Sequence, residues 1–399
     1  MEMLFAKQDR LLNLTSTKIV RDIVNNIHWD ARLIAIRGAR GVGKTTLMLQ
    51  YIKLNYPLYS REVLYCTMDS VFFTNHSLLD LADDFYKNGG KRLFLDEIHK
   101  YPTWSKEVKE IYDMYPDMHI VISGSSLLKI LNGDSDLSRR CIPYTMQGLS
   151  FREYMIFYEG IDLPVYTLED ILKTPEKLCA EVNAKCRPLQ FFKEYLQFGY
   201  YPFYLVNQLD YYTTIEQVSN FIIETELTQC CGVDVNNTRK IKALLGILAS
   251  SVPFEVDISK LATMIGVHRN TVISYLYDMD RAKLLNLLFA DLLSVKKMQK
   301  PDKIYLENTN MVYALAPQNV NIGTVRETFV VNQLSYTHRV EYGKKNGDFN
   351  VDGKYLFEVG GEKKTYKQIA DLPDSFILAD DLETPYRQKL PLWCVGFLY

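Results

Sequence analysis

An α/β fold built on a parallel five-stranded sheet is predicted for residues 1–149 of this 399-residue chain, on three observations. Between Arg32 and Gly148 five short apolar runs alternate with longer helical stretches. The runs are rich in Val, Ile, Leu and aromatics without polar alternation, the pattern of strands covered on both faces. The stretches between them are long enough to serve as crossover helices.

In order, the runs are "LIAIRG", "EVLYCTMD", "RLFLDE", "HIVISGSS" and "CIPYTMQGL". The first leads into Gly38-Ala39-Arg40-Gly41-Val42-Gly43-Lys44-Thr45-Thr46, which fits G-x-x-x-x-G-K-[ST] between a predicted strand and a predicted helix. Gly38, Gly41 and Gly43 free the backbone so that successive N–H groups face phosphate oxygens, and the following helix adds partial positive charge. Lys44 supplies an ammonium for the outer phosphates and Thr45 a hydroxyl for Mg²⁺. The third run ends in Asp96, expected to hold Mg²⁺, and Glu97, expected to deprotonate an attacking water. The fourth ends at Ser123 and Ser125, candidate sensors of a γ-phosphate. This order suggests a strand inserted between the two motif strands, leaving room for a catalytic acid beside the water. His99 is expected on the surface at the strand end. Arg139 and Arg140 precede the fifth run, and Arg140 is a candidate arginine finger towards a neighbouring copy, implying a homo-oligomer; a surface pair is the other reading. ATP is expected over GTP because no N-K-x-D motif is found.

The rest of the chain changes texture. Residues 150–236 are aromatic and helix-like ("FREYMIFYEG", "FFKEYLQFGYYPFYL", "QVSNFIIETEL"), with loops expected near Pro164 and Pro188. Residues 237–322 read as a helix-turn-helix unit with β-like "NLLFADLL" and "KIYLENTNMVYAL". Residues 323–399 start with a helix, "TVRETFVVNQLS", followed by strand-like "RVEYGKK", "GDFNVDG" and "KYLFEVGG" and a last apolar run, "LWCVGFLY".

A hydrophobic fraction of 47% suffices for packed cores, and a net charge of -2 excludes a generally basic nucleic-acid or membrane coat. The seven cysteines lack metal-ligand spacing and are expected as reduced thiols. No signal-peptide pattern or bilayer-length apolar run is present, so a cytoplasmic protein without membrane contact is expected.

The phosphate turn, "LFLDEIHKYPTW", "ISGSS", "LSRR" before "LSFREY", and "FGYYPFY" together resemble the prokaryotic AAA-type P-loop ATPases with a C-terminal domain of unknown function. The resemblance spans essentially the whole chain. It implies an AAA-like core, a helical segment, a winged helix and a restriction-endonuclease-like C-terminal domain.

In the helix-turn-helix, the second helix would present His268, Arg269, Asn270 and Ser274 to a DNA major groove, with Lys296, Lys297 and Lys300 as a basic wing on phosphate. Packing or protein contact is the alternative. Glu327, Asp348 and Glu358 have the order of a metal-dependent nuclease, with Asp348 ending one strand and Glu358 the next. The lysine expected two residues after the second acid is replaced by Gly360, although Lys363 or Lys364 could reach back. That favours a degenerate domain with a binding role. The expectation is therefore an ATP-driven switch using Mg²⁺ and acting on DNA or a protein partner; a regulatory nucleotide binder with little turnover and an ATP-regulated nuclease are the alternatives.

Overall fold

The computed structural model describes residues 1–399 except 126–135, 252–256, 291–298, 345–346 and 367–371. Lys296 and Lys297 therefore lie outside the described residues. The chain forms two compact units, Met1–Gln147 and Gly148–Tyr399.

The first unit holds the predicted parallel sheet: β1 Leu33–Arg37, β2 Val63–Thr67, β3 Arg92–Asp96, β4 His119–Gly124 and β5 Ile142–Thr145, in the order β2-β3-β4-β1-β5. β4 lies between β1 and β3, as the motif order suggests. Successive side chains of a strand point to opposite faces, and here both faces are apolar. Leu33, Ala35, Leu93, Leu95, Ile120 and Ile122 join one core with the helices Leu78–Lys87 and Trp104–Met114. Ile34, Ile36, Phe94 and Val121 join a second core with the helix Lys44–Asn55. This double burial explains why β1 to β4 read as unbroken apolar runs. β2 is an edge strand, and the helix Glu2–Leu14 partly covers it: the buried Gln8 side chain accepts from Tyr65 N at 2.5 Å and donates to Val63 O at 3.3 Å. Main-chain groups that would otherwise template further pairing are thereby occupied.

The second unit contains the segments 150–236, 237–322 and 323–399 together. Its helical part starts at a Ser150 capping box and includes π-helical turns at Met155–Glu159, Tyr195–Gly199 and Ile222–Glu226. Pro188 opens the helix Pro188–Glu194 at a first-turn position, where a missing N–H costs nothing. Helices Thr238–Ala249, Ile258–Ile265 and Arg269–Arg281 precede an antiparallel pair, β6 Leu285–Leu288 and β7 Lys303–Leu306. The β-like reading continues too far along "NTNMVYAL": Asn308 caps Met311 N and starts the helix Thr309–Leu315. After the helix Ile322–Leu334 comes a mixed sheet of β8 Val340–Tyr342, β9 Phe349–Val351, β10 Tyr355–Gly361, β11 Ser375–Asp380 and β12 Lys389–Pro391, ordered β12-β11-β10-β9-β8. The final apolar run is a 3₁₀ helix, Leu392–Phe397. Aromatic contacts tie the segments together: Phe192 meets Phe329 with ring centroids 4.9 Å apart, and Phe151 meets Phe397 at 5.9 Å.

Candidate functional site

The phosphate turn joins β1 to the helix Lys44–Asn55. Gly41 and Gly43 have φ of 86° and 101°, the left-handed region that favours glycine. Gly38 is required for another reason than the sequence suggests: a Cβ there would lie 2.2 Å from the Met146 carbonyl oxygen. Arg21, buried and not anticipated from the sequence, donates to Val42 O at 3.3 Å and to Gln147 O at 2.6 Å, tying the turn to the end of its unit. The Lys44 ammonium donates to Gly38 O and Ala39 O, both at 2.9 Å, and so lies curled over its own loop. Ala39 and Val42 are buried, Arg40 is half-buried, and Thr45 and Thr46 are exposed.

β3 delivers Asp96 to this loop. Thr45 donates its hydroxyl to Asp96 Oδ2 at 2.6 Å, and Tyr65 donates to the same oxygen at 2.7 Å. Ser123, from the inserted β4, donates to Asp96 Oδ1. Tyr65 is thus a site residue that sequence spacing does not reveal, since its role depends on β2 lying beside β3. Burial beside Asp96 raises the Tyr65 phenol well above its ordinary value, so it remains a donor. The hydroxyl and carboxylate oxygens of Thr45 and Asp96 are hard donors at the mouth of a phosphate turn, a set that fits Mg²⁺.

Glu97 adopts a left-handed conformation, φ 53° and ψ 42°, strain of a kind concentrated at functional sites. Its N–H is held by Asp96 Oδ1 at 3.1 Å and Ser123 Oγ at 3.2 Å. The Glu97 carboxyl is raised above the usual carboxylate range, first by burial, with Lys44 opposing. Ser125 is buried just beyond β4. The expectation for His99 is corrected: its side chain is only 4% exposed, and Nε2 lies 3.5 Å from Glu97 Oε2. Arg140 pairs through Nε with Asp113 Oδ1 at 3.1 Å.

The second candidate cluster lies in the C-terminal unit. Glu327 comes from the helix Ile322–Leu334, Asp348 precedes β9 rather than ending a strand, and Glu358 sits within β10 rather than at its end. Lys303 from β7 lies 3.4 Å from Glu327 Oε2 and 3.9 Å from Asp348 Oδ1, while Tyr305 donates to Glu327 Oε2 at 2.6 Å. Lys364 does reach back to pair with Glu358, whose other oxygen is buried without a hydrogen-bond partner. Asp348 Oδ2 also accepts from Val359 N at 2.9 Å. Among the described residues, no group of three or more His, Cys, Asp or Glu side chains is arranged to hold a metal ion. The carboxylates are instead matched to ammonium groups, so no metal chemistry is derived for them.

In the helix Arg269–Arg281, Arg269 and Asn270 are exposed on the first turn, and Ser274 is half-buried. His268 is exposed and acts as the cap, its ring accepting from Asn270 N at 3.4 Å. All seven cysteines are free, and among the described residues no helix is long and apolar enough to cross a membrane.

Strand order, phosphate turn and strand-end carboxylate make the N-terminal unit a nucleotide-binding module of the P-loop class. Residues 30–155 match a family described as an AAA domain, to which this module is therefore similar. Over longer stretches the chain is similar to two proteins of Methanocaldococcus jannaschii. One, "Uncharacterized protein MJ1637", is 27% identical over 84% of this chain and 77% of its own. The other, "Uncharacterized protein MJ1544", is 24% identical over 85% of this chain and 74% of its own. A solved structure of PCH-2 from C. elegans aligns with 40% of this chain and 45% of its own at 16% identity and a TM-score of 0.24, too distant to bear on function.

Proposed function

We propose that the protein is a Mg-ATP-hydrolysing switch. The observation that carries this reading is the convergence on Asp96 of Thr45 from the phosphate turn and Ser123 from the inserted strand, with Glu97 next in the chain. Gly38 to Thr46 would wrap the phosphates, and Lys44 would exchange its loop carbonyls for phosphate oxygens. Thr45 and Asp96 would hold Mg²⁺, which when bound neutralises phosphate charge. Glu97 accepts a proton from water as that oxygen attacks the γ-phosphorus; the bond to the bridging oxygen breaks, and ADP and phosphate leave. Ser123 and Ser125 would register loss of the γ-phosphate.

The same proposal extends to the second unit, read as a helical connector, a winged helix and a degenerate restriction-endonuclease-like domain. Duplex DNA is the favoured partner, supported by the exposure of Arg269 and Asn270, side chains suited to guanine and adenine edges. A finger role for Arg140 in an oligomer would require release from Asp113.

The test is steady-state ATP turnover with and without duplex DNA, with Glu97→Gln as blank. Turnover should fall at least about a hundredfold in that variant while nucleotide binding persists. DNA-stimulated turnover supports the partner reading. Indifference to DNA turns it towards a protein partner, and native turnover no higher than the blank leaves a nucleotide-binding regulator.

A further inference from the structure

His99 follows Glu97 by two positions, within the 3₁₀ turn Ile98–Lys100. Its ring is almost fully enclosed, yet neither Nδ1 nor Nε2 has a hydrogen-bond partner. Buried ring nitrogens are ordinarily satisfied, so an orphaned pair calls for an explanation. The nearest acidic atom is Glu97 Oε2, 3.5 Å from Nε2, at the outer edge of hydrogen-bonding distance. Glu97 itself is held by its main chain, through Asp96 and Ser123, which leaves the carboxylate to turn about its own side-chain bonds.

We propose that His99 is a positioning residue for Glu97: its Nε2–H closes onto Oε2 and aims the other carboxylate oxygen at the attacking water. The inference rests on the reading of Glu97 as the base. A neutral donor suits the task, since a cation in the same place would draw the carboxylate's basicity down. The imidazole meets that requirement. Burial, assisted by Lys100, Lys44 and Arg40, lowers its pKa to about 4, so the ring is uncharged at neutral pH, with one N–H and one lone pair. A small side-chain rotation is enough to close the contact when nucleotide fills the loop.

The experiment compares kcat and KM for ATP in the native chain, His99→Phe and His99→Gln, with Glu97→Gln as blank. Phenylalanine keeps the ring volume and loses the N–H, whereas glutamine carries an amide N–H near the Nε2 position. His99→Phe should lose about tenfold or more in kcat with KM changed less than about twofold, and His99→Gln should recover most of the loss. If binding of a fluorescent ATP analogue shows that His99→Phe is misfolded, His99→Asn replaces it, since its amide lies at the Nδ1 position and should not rescue. Native kcat in the phenylalanine or asparagine variant overturns the proposal, as does glutamine falling equally far. Native turnover equal to the Glu97→Gln blank removes the base reading and the positioning role together, an outcome distinct from an active enzyme indifferent to His99.

Discussion

Gly38 leaves the phosphate turn no room for a side chain. Its Cα faces the Met146 carbonyl so closely that a methyl group would overlap main chain, which cannot rotate aside as a side chain can. Gly38→Ala is therefore expected to destabilise the N-terminal unit by about 1–3 kcal/mol, the usual range for overpacking. Urea unfolding without nucleotide measures it, and an unchanged midpoint would show that the turn has slack. The residues around this turn divide by how they can be read. The placement of Lys44, Thr45, Asp96 and Glu97 is legible because it follows from position within a strand-turn-helix or at a strand end. Tyr65 and Arg21 are not, because what they do depends on which strands pair and where residues far along the chain return. His99 is misjudged for a related reason: a polar residue after a strand reads as solvated unless the packing above it is known.

At the level of elements, legibility follows burial. Four of the five parallel strands are read because two covered faces leave an unmistakable apolar run, whereas β5 is exposed or half-buried along its length. In the C-terminal sheet the signal weakens, and β11 and β12 are missed, although "SFILAD" has a strand's composition. The helix Thr309–Leu315 is missed because its Val, Met and Tyr resemble a strand, and only the Asn308 cap marks its start. That helix carries Asn310, buried beside the π-helical turn Tyr195–Gly199. A wider helical turn leaves carbonyls without their usual partners, and Asn310 Nδ2 donates to Tyr195 O at 3.2 Å and to Leu196 O at 2.9 Å. Its Oδ1 accepts from Tyr200 N at 2.8 Å and from Tyr211 Oη at 2.5 Å. Asn310→Ala strands several buried polar groups at once, each worth about 1–3 kcal/mol, so a loss of about 3 kcal/mol or more is expected. Chemical denaturation of the variant checks this, and a loss under about 1 kcal/mol would mean that water replaces the amide.

Across the whole molecule, each compact unit has its own core, and this sets what the two can lose separately. Both apolar cores of the sheet that carries the phosphate turn consist of residues from Leu4 to Met146. The second unit is closed by its last residues: Trp393 and Phe397 are fully buried, and the Tyr399 main-chain oxygen accepts from Ser150 Oγ at 2.7 Å and Arg152 Nε at 3.0 Å. Sequence reading anticipates four consecutive domains, and such a closure across the second unit has no local signature, because it joins positions 249 and 247 residues apart. Deleting residues 392–399 removes two fully buried aromatic anchors and exposes Phe151, which packs on Phe397, and Phe329, whose ring edge lies beside Gly396. Losing one buried aromatic costs about 3–5 kcal/mol, and losing two approaches the whole stability of an ordinary domain. The truncated chain should therefore lose the unfolding transition of the second unit in calorimetry while still binding a fluorescent ATP analogue. Loss of binding would show that the nucleotide module depends on the second unit for its fold, and two intact transitions would show that the aromatic closure contributes little.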